Sequence, residues 1–240
     1  MRTNNLIKNI SLATLFSISM GFLESITVIY LRKIFYPEGF SFPLNIYISK
    51  SIIRIEIIRE ICTLVMLICI GILIGKNLYT QIAYFLLSFG LWDIFYYIGL
   101  KILLNWPESL LTWDILFLIP IPWTAPVLAP IMVSIVFIII SLIIIYLSHI
   151  TDTIKLNFKD YILILSGLSL IFVSFIWNYA KLFLPQKFIK NIYQSITDPE
   201  LLKIISEYSP SNYNWYLLWL GLILILIPIS YKFLTIKKQI

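Results

Sequence analysis

The feature that most limits how this chain can fold is a series of long apolar stretches, of which residues 127–147 are rich in isoleucine, valine and leucine. Backbone N–H and C=O groups find no water inside hydrocarbon, so each of them must be paired within the protein. Only helices and closed barrels meet this requirement. The apolar stretches are continuous and lack the alternating pattern of barrel strands, so they predict membrane-spanning helices.

The amino-acid composition also indicates a protein that is surrounded by lipid. Its 240 residues are 60% hydrophobic and 12% charged, whereas soluble domains are roughly 45–50% apolar and about 25% charged. We therefore predict an all-α fold, a polytopic membrane helix bundle that forms a single transmembrane domain over residues 1–240. Its six transmembrane helices are expected at residues 10–31, 54–75, 80–104, 127–147, 161–184 and 215–231. The fourth is the best candidate for a lipid-facing anchor.

Two further segments are predicted to meet the membrane without crossing it. In residues 107–126 the apolar part is about 14 residues long and contains Pro120 and Pro122, so it is too short and too broken to span. We predict a re-entrant half-helix there, followed by extended chain that returns to the same face; an interfacial location is the alternative. Residues 186–208 carry two amphipathic patterns, which predict interfacial helices.

The number of spans and the distribution of charge suggest an orientation. Six spans place both chain ends on one side of the membrane. Basic residues are divided almost evenly between the two sides, but the lysine-rich ends share one side, so we expect both termini in the cytoplasm. The net charge of +6 is scattered over loops without a basic patch. The lipid bilayer is therefore an expected partner and nucleic acid is not.

A short motif, Trp-Asp-Ile, occurs twice, as Trp92-Asp93-Ile94 and as Trp113-Asp114-Ile115. A carboxylate in apolar and aromatic surroundings is costly in a membrane, and such residues usually face a protein interior or a watery cavity. The two aspartates therefore predict a shared polar site.

Further polar residues are predicted to lie at a similar depth in the membrane to these aspartates. At the helical rise, Glu24 and Arg59 lie about 10 Å below the membrane face opposite the termini, and Asp93 lies about 15 Å below it. We expect a pocket that opens to that face, formed by the first, second, third and fifth spans with the half-helix as its lid. Its predicted binding or relay residues are Asp93, Asp114, Glu24, Arg59, Glu60, Tyr97, Asn178 and Lys181.

Each of these residues also has a structural interpretation. Glu24 and Arg59 can form a salt bridge that fixes two helices, and Glu60 can lie among lipid headgroups. Asp114 can cap a helix start. Asp93 can make a structural hydrogen bond to Tyr96, Tyr97 or a neighbouring helix. The sequence leaves these alternatives open.

The residue types that are absent from the sequence exclude several kinds of chemistry. The single histidine, His149, falls in a short turn, so haem ligation, histidine-based zinc sites and a serine–histidine nucleophile have no residues to use. A phosphate-binding glycine loop is also absent. No cofactor is predicted and no catalytic residue is assigned, although carboxylates alone could hold a divalent cation.

Three strings resemble those of uncharacterised bacterial multi-spanning membrane proteins: Tyr36-Pro37-Glu38-Gly39-Phe40, Trp92-Asp93-Ile94-Phe95-Tyr96-Tyr97 and Asp114-Ile115-Leu116-Phe117-Leu118-Ile119-Pro120. The resemblance covers roughly residues 20–135. It implies a location in the prokaryotic cytoplasmic (inner) membrane and no particular activity.

Three functional hypotheses follow from the sequence. The first is a membrane protein whose pocket binds or passes a proton, a cation or a small polar solute, alone, as a homo-oligomer or as the membrane subunit of a larger complex. The second is a structural or assembly subunit. The third is a membrane enzyme that acts on a lipid-linked substrate with a divalent metal held by carboxylates.

Overall fold

The computed structural model describes residues 2–43, 50–151, 156–183 and 207–237. Within these ranges the chain forms six helices, α1 Arg2–Phe35, α2 Lys50–Ile74, α3 Leu78–Leu104, α4 Leu128–Ile150, α5 Phe158–Phe183 and α6 Trp215–Lys237, and two strands, β1 Trp113–Phe117 and β2 Trp123–Pro126. All six helices are long and apolar enough to cross a membrane. The prediction of a multi-pass helical membrane protein is thereby confirmed, and each predicted span overlaps one of these helices.

Helix α3 is the centre of the bundle, because it packs against α1, α2 and α4. Its ends are well defined. At its start Asn77 and Thr80 form a reciprocal capping box, and at its end Asn105 adopts the left-handed conformation with φ 55°. Asparagine tolerates this conformation better than most residues. Helix α3 therefore stops at Leu104, and the chain turns there towards the strands.

Helices α5 and α6 form a second tight pair, which joins the rest of the protein through contacts of α6 with α4 and of α5 with β2. At their crossing, a Cβ atom added to Gly167 would lie 2.7 Å from the carbonyl oxygen of Gly221, and one added to Gly221 would lie 2.7 Å from that of Gly167. Small residues allow such close backbone approach, which is how helices gain packing energy where lipid supplies no hydrophobic drive.

The predicted re-entrant half-helix is wrong, because the described chain between α3 and α4 contains no such helix. Its strands β1 and β2 instead pair antiparallel as a hairpin, with Asp114 opposite Ala125 and Ile115 opposite Thr124. Proline lacks the N–H that a helix needs and clashes with the preceding turn, and Pro120, Pro122 and Pro126 fall in this segment. Pairing between the strands satisfies the backbone groups that a helix would have satisfied. Asp114 therefore lies in a strand and does not cap a helix.

The hairpin is also fastened to the start of α4. The Val127 N–H donates to the Thr112 carbonyl over 2.9 Å, and the Leu128 N–H donates to the Leu110 carbonyl over 2.8 Å. The predicted interfacial helices cannot be compared with the structure, since residues 186–206 lie outside the described residues.

Helix α4, whose apolar sequence suggested a lipid-facing anchor, is exposed on one side only, which includes Ile135 and Ile139. Its residues Val133, Ile140, Ile144 and Ile145 are buried in the main core, between α3, α6 and the hairpin. More exposed lipid-facing candidates occur on the outer helices, where Leu73 of α2 is 80% exposed and Leu165 of α5 is 63% exposed.

Candidate binding cavity

A cavity of about 560 Å³ lies between helices α1 to α5 and the hairpin. It extends from Phe89 and Phe137, within α3 and α4, to Tyr36 and Phe40, which follow the end of α1. Six of the eight residues singled out in the sequence line it: Glu24, Arg59, Glu60, Asp93, Tyr97 and Asp114.

The other two singled-out residues are not among those that line the cavity. Asn178 instead accepts a hydrogen bond from the Tyr208 hydroxyl over 3.3 Å and donates one to the Asn212 carbonyl over 3.5 Å. The Lys181 ammonium lies 5.3 Å from the centroid of the Trp177 ring. Both side chains therefore contact parts of the chain outside the cavity lining.

Asp114 forms a buried ion pair that the sequence did not reveal. Its Oδ1 atom lies 2.9 Å from Nη2 of Arg32, near the end of α1, and its Oδ2 atom accepts a hydrogen bond from the Tyr97 hydroxyl over 3.3 Å. The Arg32 guanidinium also lies against two aromatic rings, 3.7 Å from the centroid of Trp106 and 4.3 Å from that of Phe40. These contacts tie α1, α3 and the hairpin together.

Burial and its polar partners act on Asp114 in opposite directions. Burial raises the pKa of the Asp114 carboxyl above its ordinary value, while the Arg32 guanidinium, a backbone hydrogen bond at Ile115 and the Tyr97 hydroxyl oppose this rise. Arg32 is not among the residues that the sequence pattern singled out. The pair could have been predicted from topology. The segment that carries Asp114 is expected at the membrane face where the first span ends, and Arg32 lies at that end.

Arg59 connects α2 to α1. It forms an ion pair with Glu24 across the two helices and another with Glu56 on its own helix, where Nη2 and Oε2 are 2.8 Å apart. Glu24 also accepts a longer hydrogen bond, 3.5 Å, from the Thr63 hydroxyl. Because α1 and α2 otherwise contact each other only lightly, this polar cluster is the main connection between them within the described residues.

Glu60 is the neighbour of Arg59 but contacts the hairpin. Both of its carboxylate oxygens lie 3.0 Å from the Leu118 N–H, which donates to them. The residue is only 5% exposed, and it forms no ion pair within the described part of the chain. Glu60 therefore fastens the hairpin to α2 while keeping an acidic group at the cavity wall.

Asp93 is the other carboxylate at the cavity wall that has no ion pair among the described residues. Its Oδ2 atom accepts a hydrogen bond of 2.7 Å from the Ser134 hydroxyl on α4, and the residue is 9% exposed. Asp114, a second acidic residue, lines the same cavity. Asp93 thus lines the cavity as a buried acid without an ion-pair partner in the part of the chain that the structure describes.

The charges around the cavity do not balance. Five carboxylates line it, and only two guanidinium groups do, so full ionisation would leave an excess of three negative charges. The acidic residues are Glu24, Glu56, Glu60, Asp93 and Asp114, and the basic ones are Arg32 and Arg59. Among the described residues, no three histidine, cysteine, aspartate or glutamate side chains are grouped so that they could hold a metal ion.

Aromatic rings form a continuous wall on one side of the cavity. The centroid distances are 5.5 Å from Phe89 to Trp92, 6.3 Å from Trp92 to Phe117, 5.3 Å from Phe117 to Trp123, and 5.1 Å from Trp123 to Phe172. All five residues line the cavity. The indole N–H of Trp92 is buried and has no hydrogen-bond partner within the described ranges.

Comparisons with protein-family models, with curated proteins and with solved structures give no match to this chain. Function is therefore inferred from the cavity and its residues.

Proposed function

We propose that this multi-pass membrane protein binds a proton, a cation or a small polar solute in its cavity and passes it along, alone or as the membrane subunit of a larger complex. Asp93 is the central binding or titrating group. The ion pairs of Arg32 with Asp114 and of Arg59 with Glu24 hold the surrounding helices and the hairpin in place. The proposed location is the cytoplasmic membrane of a prokaryote, with both termini in the cytoplasm.

The observation that carries this proposal is the state of Asp93, a buried carboxylate that lines a cavity without an ion pair in the described structure. A buried charge without a partner is strongly unfavourable, so such a group either holds a proton or attracts a cation. Ionisable residues inside membrane proteins commonly mark ion pathways and proton relays. The negative excess around the cavity favours cations over anions.

The test is a flux measurement on the purified chain reconstituted in liposomes, with proton, Na⁺ and K⁺ gradients applied separately. Asp93→Asn keeps the size and the hydrogen bond to Ser134 but removes the charge. We expect it to lower the flux at least about tenfold, which corresponds to about 1.4 kcal/mol. Asp160→Asn is the matched control, because Asp160 pairs with Lys232 at 3.5 Å and does not line the cavity. Equal flux in wild type and Asp93→Asn would refute the proposal.

A structural or assembly role is a second candidate, and the paired charges favour it. Arg32 with Asp114 and Arg59 with Glu24 are ion pairs that join different elements, as expected of a scaffold. A scaffold would copurify with partner chains and would tolerate Asp93→Asn without a change in flux. The enzyme hypothesis, with a divalent metal held by carboxylates, stays a prediction from the sequence.

A further inference from the structure

The cavity has properties that narrow the class of its cargo, and we propose that it binds an organic cation with an apolar body, such as an aromatic or alkyl ammonium ion. This inference rests on the proposed function. In the bound state the cationic centre lies against Asp93, and the apolar body lies along the aromatic wall.

The size of the cavity is the first reason. A bare proton or a monovalent metal ion needs only a few oxygen ligands, whereas the cavity has a volume of about 560 Å³. Pockets for small organic molecules are typically about 300–1,000 Å³. Apart from its charged and tyrosine residues, the lining consists mainly of isoleucine, leucine, valine, phenylalanine, tryptophan and proline side chains. Such a lining suits an organic body better than a hydrated inorganic ion.

The position of the aromatic residues is the second reason. Asp93 and Glu60, the two carboxylates without an ion pair among the described residues, line the same cavity as Trp92 and Phe117 of the aromatic wall. Phe117 also directly precedes Leu118, whose N–H binds Glu60. The faces of aromatic rings attract cations, and they attract them most strongly where water is excluded.

The existing pairing of the arginines is the third reason. Arg59 is bound to Glu24 and Glu56, and Arg32 is bound to Asp114. These pairs already neutralise both guanidinium groups that line the cavity, so an anionic ligand would meet Asp93 and Glu60, which form no ion pair within the described ranges. A neutral apolar ligand would leave Asp93 without a counter-charge. A cation supplies that counter-charge.

The test compares two ligands of nearly the same shape, phenyltrimethylammonium and its neutral isostere tert-butylbenzene. Binding to the full chain in nanodiscs is measured by calorimetry, with empty nanodiscs as the blank for partition into lipid. We expect the cation to bind at least about tenfold more tightly than the isostere, which is about 1.4 kcal/mol. Asp93→Asn should abolish this preference, Asp93→Glu should retain it, and Asp160→Asn should leave it unchanged.

The outcomes separate this inference from the proposed function. Equal affinity for the two ligands would overturn the organic-cation inference and identify a cavity for neutral apolar molecules. Asp93-dependent flux of protons or Na⁺ without binding of phenyltrimethylammonium would also overturn it, while leaving the proposed function intact. Selective binding of the cation that survives in Asp93→Asn would also overturn the inference, because the charge of Asp93 would then contribute nothing to it. Preference lost in Asp93→Asn and kept in Asp93→Glu would support the inference, because the two variants test charge separately from folding.

Discussion

Arg32 shows how a single residue can hold three parts of this protein together. It is 6% exposed, it pairs with Asp114 on the hairpin, and it lies against the rings of Trp106 and Phe40. A guanidinium suits this position because its planar group can accept ring contacts on its faces while it donates hydrogen bonds at its edge. One of its nitrogens, Nη1, is nevertheless buried without a hydrogen-bond partner among the described residues. The ion pair with Asp114 is therefore the contact on which its charge depends.

We predict that Arg32→Met lowers the free energy of unfolding by about 3–5 kcal/mol, because it leaves the Asp114 carboxylate buried and unpaired. Adding Asp114→Asn to this variant should recover part of the loss, since the uncompensated charge is then removed. Lys33→Met is the matched control on the exposed neighbouring residue, and it should change stability by no more than about 0.5 kcal/mol. Thermal unfolding in one detergent compares the stability of the wild type with that of the three variants. A double variant that is less stable than Arg32→Met would contradict this account.

Asp93 shows what sequence reasoning could and could not find at the scale of single residues. Its burial follows from its position within a long apolar helix, so its place at a polar cavity could be anticipated. Its partner could not, because Ser134 lies on α4, which the sequence suggested as a lipid-facing anchor. Hydropathy measures transfer out of water, and lipid tails are as apolar as a protein core. It therefore reveals which helices are in the membrane and not which of them face lipid.

At the scale of elements, the hairpin is the part that the sequence predicted least well. A length too short to span and a group of prolines correctly excluded a full transmembrane helix. They did not distinguish a half-helix from paired strands, since the preference of a segment for strand structure depends on the side chains against which it packs in the fold. Its anchors, Arg32 to Asp114 and Glu60 to Leu118, likewise join segments that are 82 and 58 residues apart.

We predict that Glu60→Ala loosens the hairpin, because it removes the acceptor of the Leu118 N–H. An unsatisfied buried donor costs about 1–3 kcal/mol, so hydrogen exchange in residues 113–126 should become roughly 5- to 150-fold faster. Glu60→Gln is the matched control, because its amide oxygen can still accept this hydrogen bond. Mass spectrometry measures the rate of deuterium uptake by the hairpin in the wild type and in the two variants. Unchanged uptake in Glu60→Ala would show that the hairpin is held by its other contacts alone.

We predict that Gly167→Leu separates α5 from α6, since a Cβ atom at residue 167 would meet the Gly221 carbonyl oxygen at 2.7 Å. Overpacking of this kind typically costs about 1–3 kcal/mol, and here the obstructing atom is backbone. Ser166→Leu is the matched control, because Ser166 is exposed on the same helix. Resistance to thermal aggregation in detergent should fall in Gly167→Leu and persist in Ser166→Leu. Equal behaviour of the two variants would mean that the helices can move apart without loss.

At the scale of the whole molecule, the polar residues are concentrated in one half of the bundle. Arg32, at the end of α1, and the hairpin, which follows α3, belong to the membrane face opposite the N-terminus, because α1 and α3 both run towards that face. The cavity extends to the same end, where Tyr36 and Phe40 line it. In the proposed orientation this end of the cavity faces away from the cytoplasm, so the proposed function predicts entry from the outer face.

This topology yields a final prediction about the two faces. Asn5, Lys237 and Glu108 are exposed, and the first two lie near opposite ends of the described chain, while Glu108 precedes the hairpin. Cys62→Ala and Cys69→Ala first remove the native cysteines, and a single cysteine is then introduced at one of these three positions. Intact bacterial spheroplasts that contain each variant are treated with a membrane-impermeant maleimide. The cysteine at residue 108 should be labelled from outside, and those at residues 5 and 237 should be labelled only after permeabilisation. Outside labelling at residues 5 and 237 but not at residue 108 would reverse the orientation while keeping the six spans. Labelling that differs between residues 5 and 237 would require an odd number of crossings, which six membrane-spanning helices cannot give.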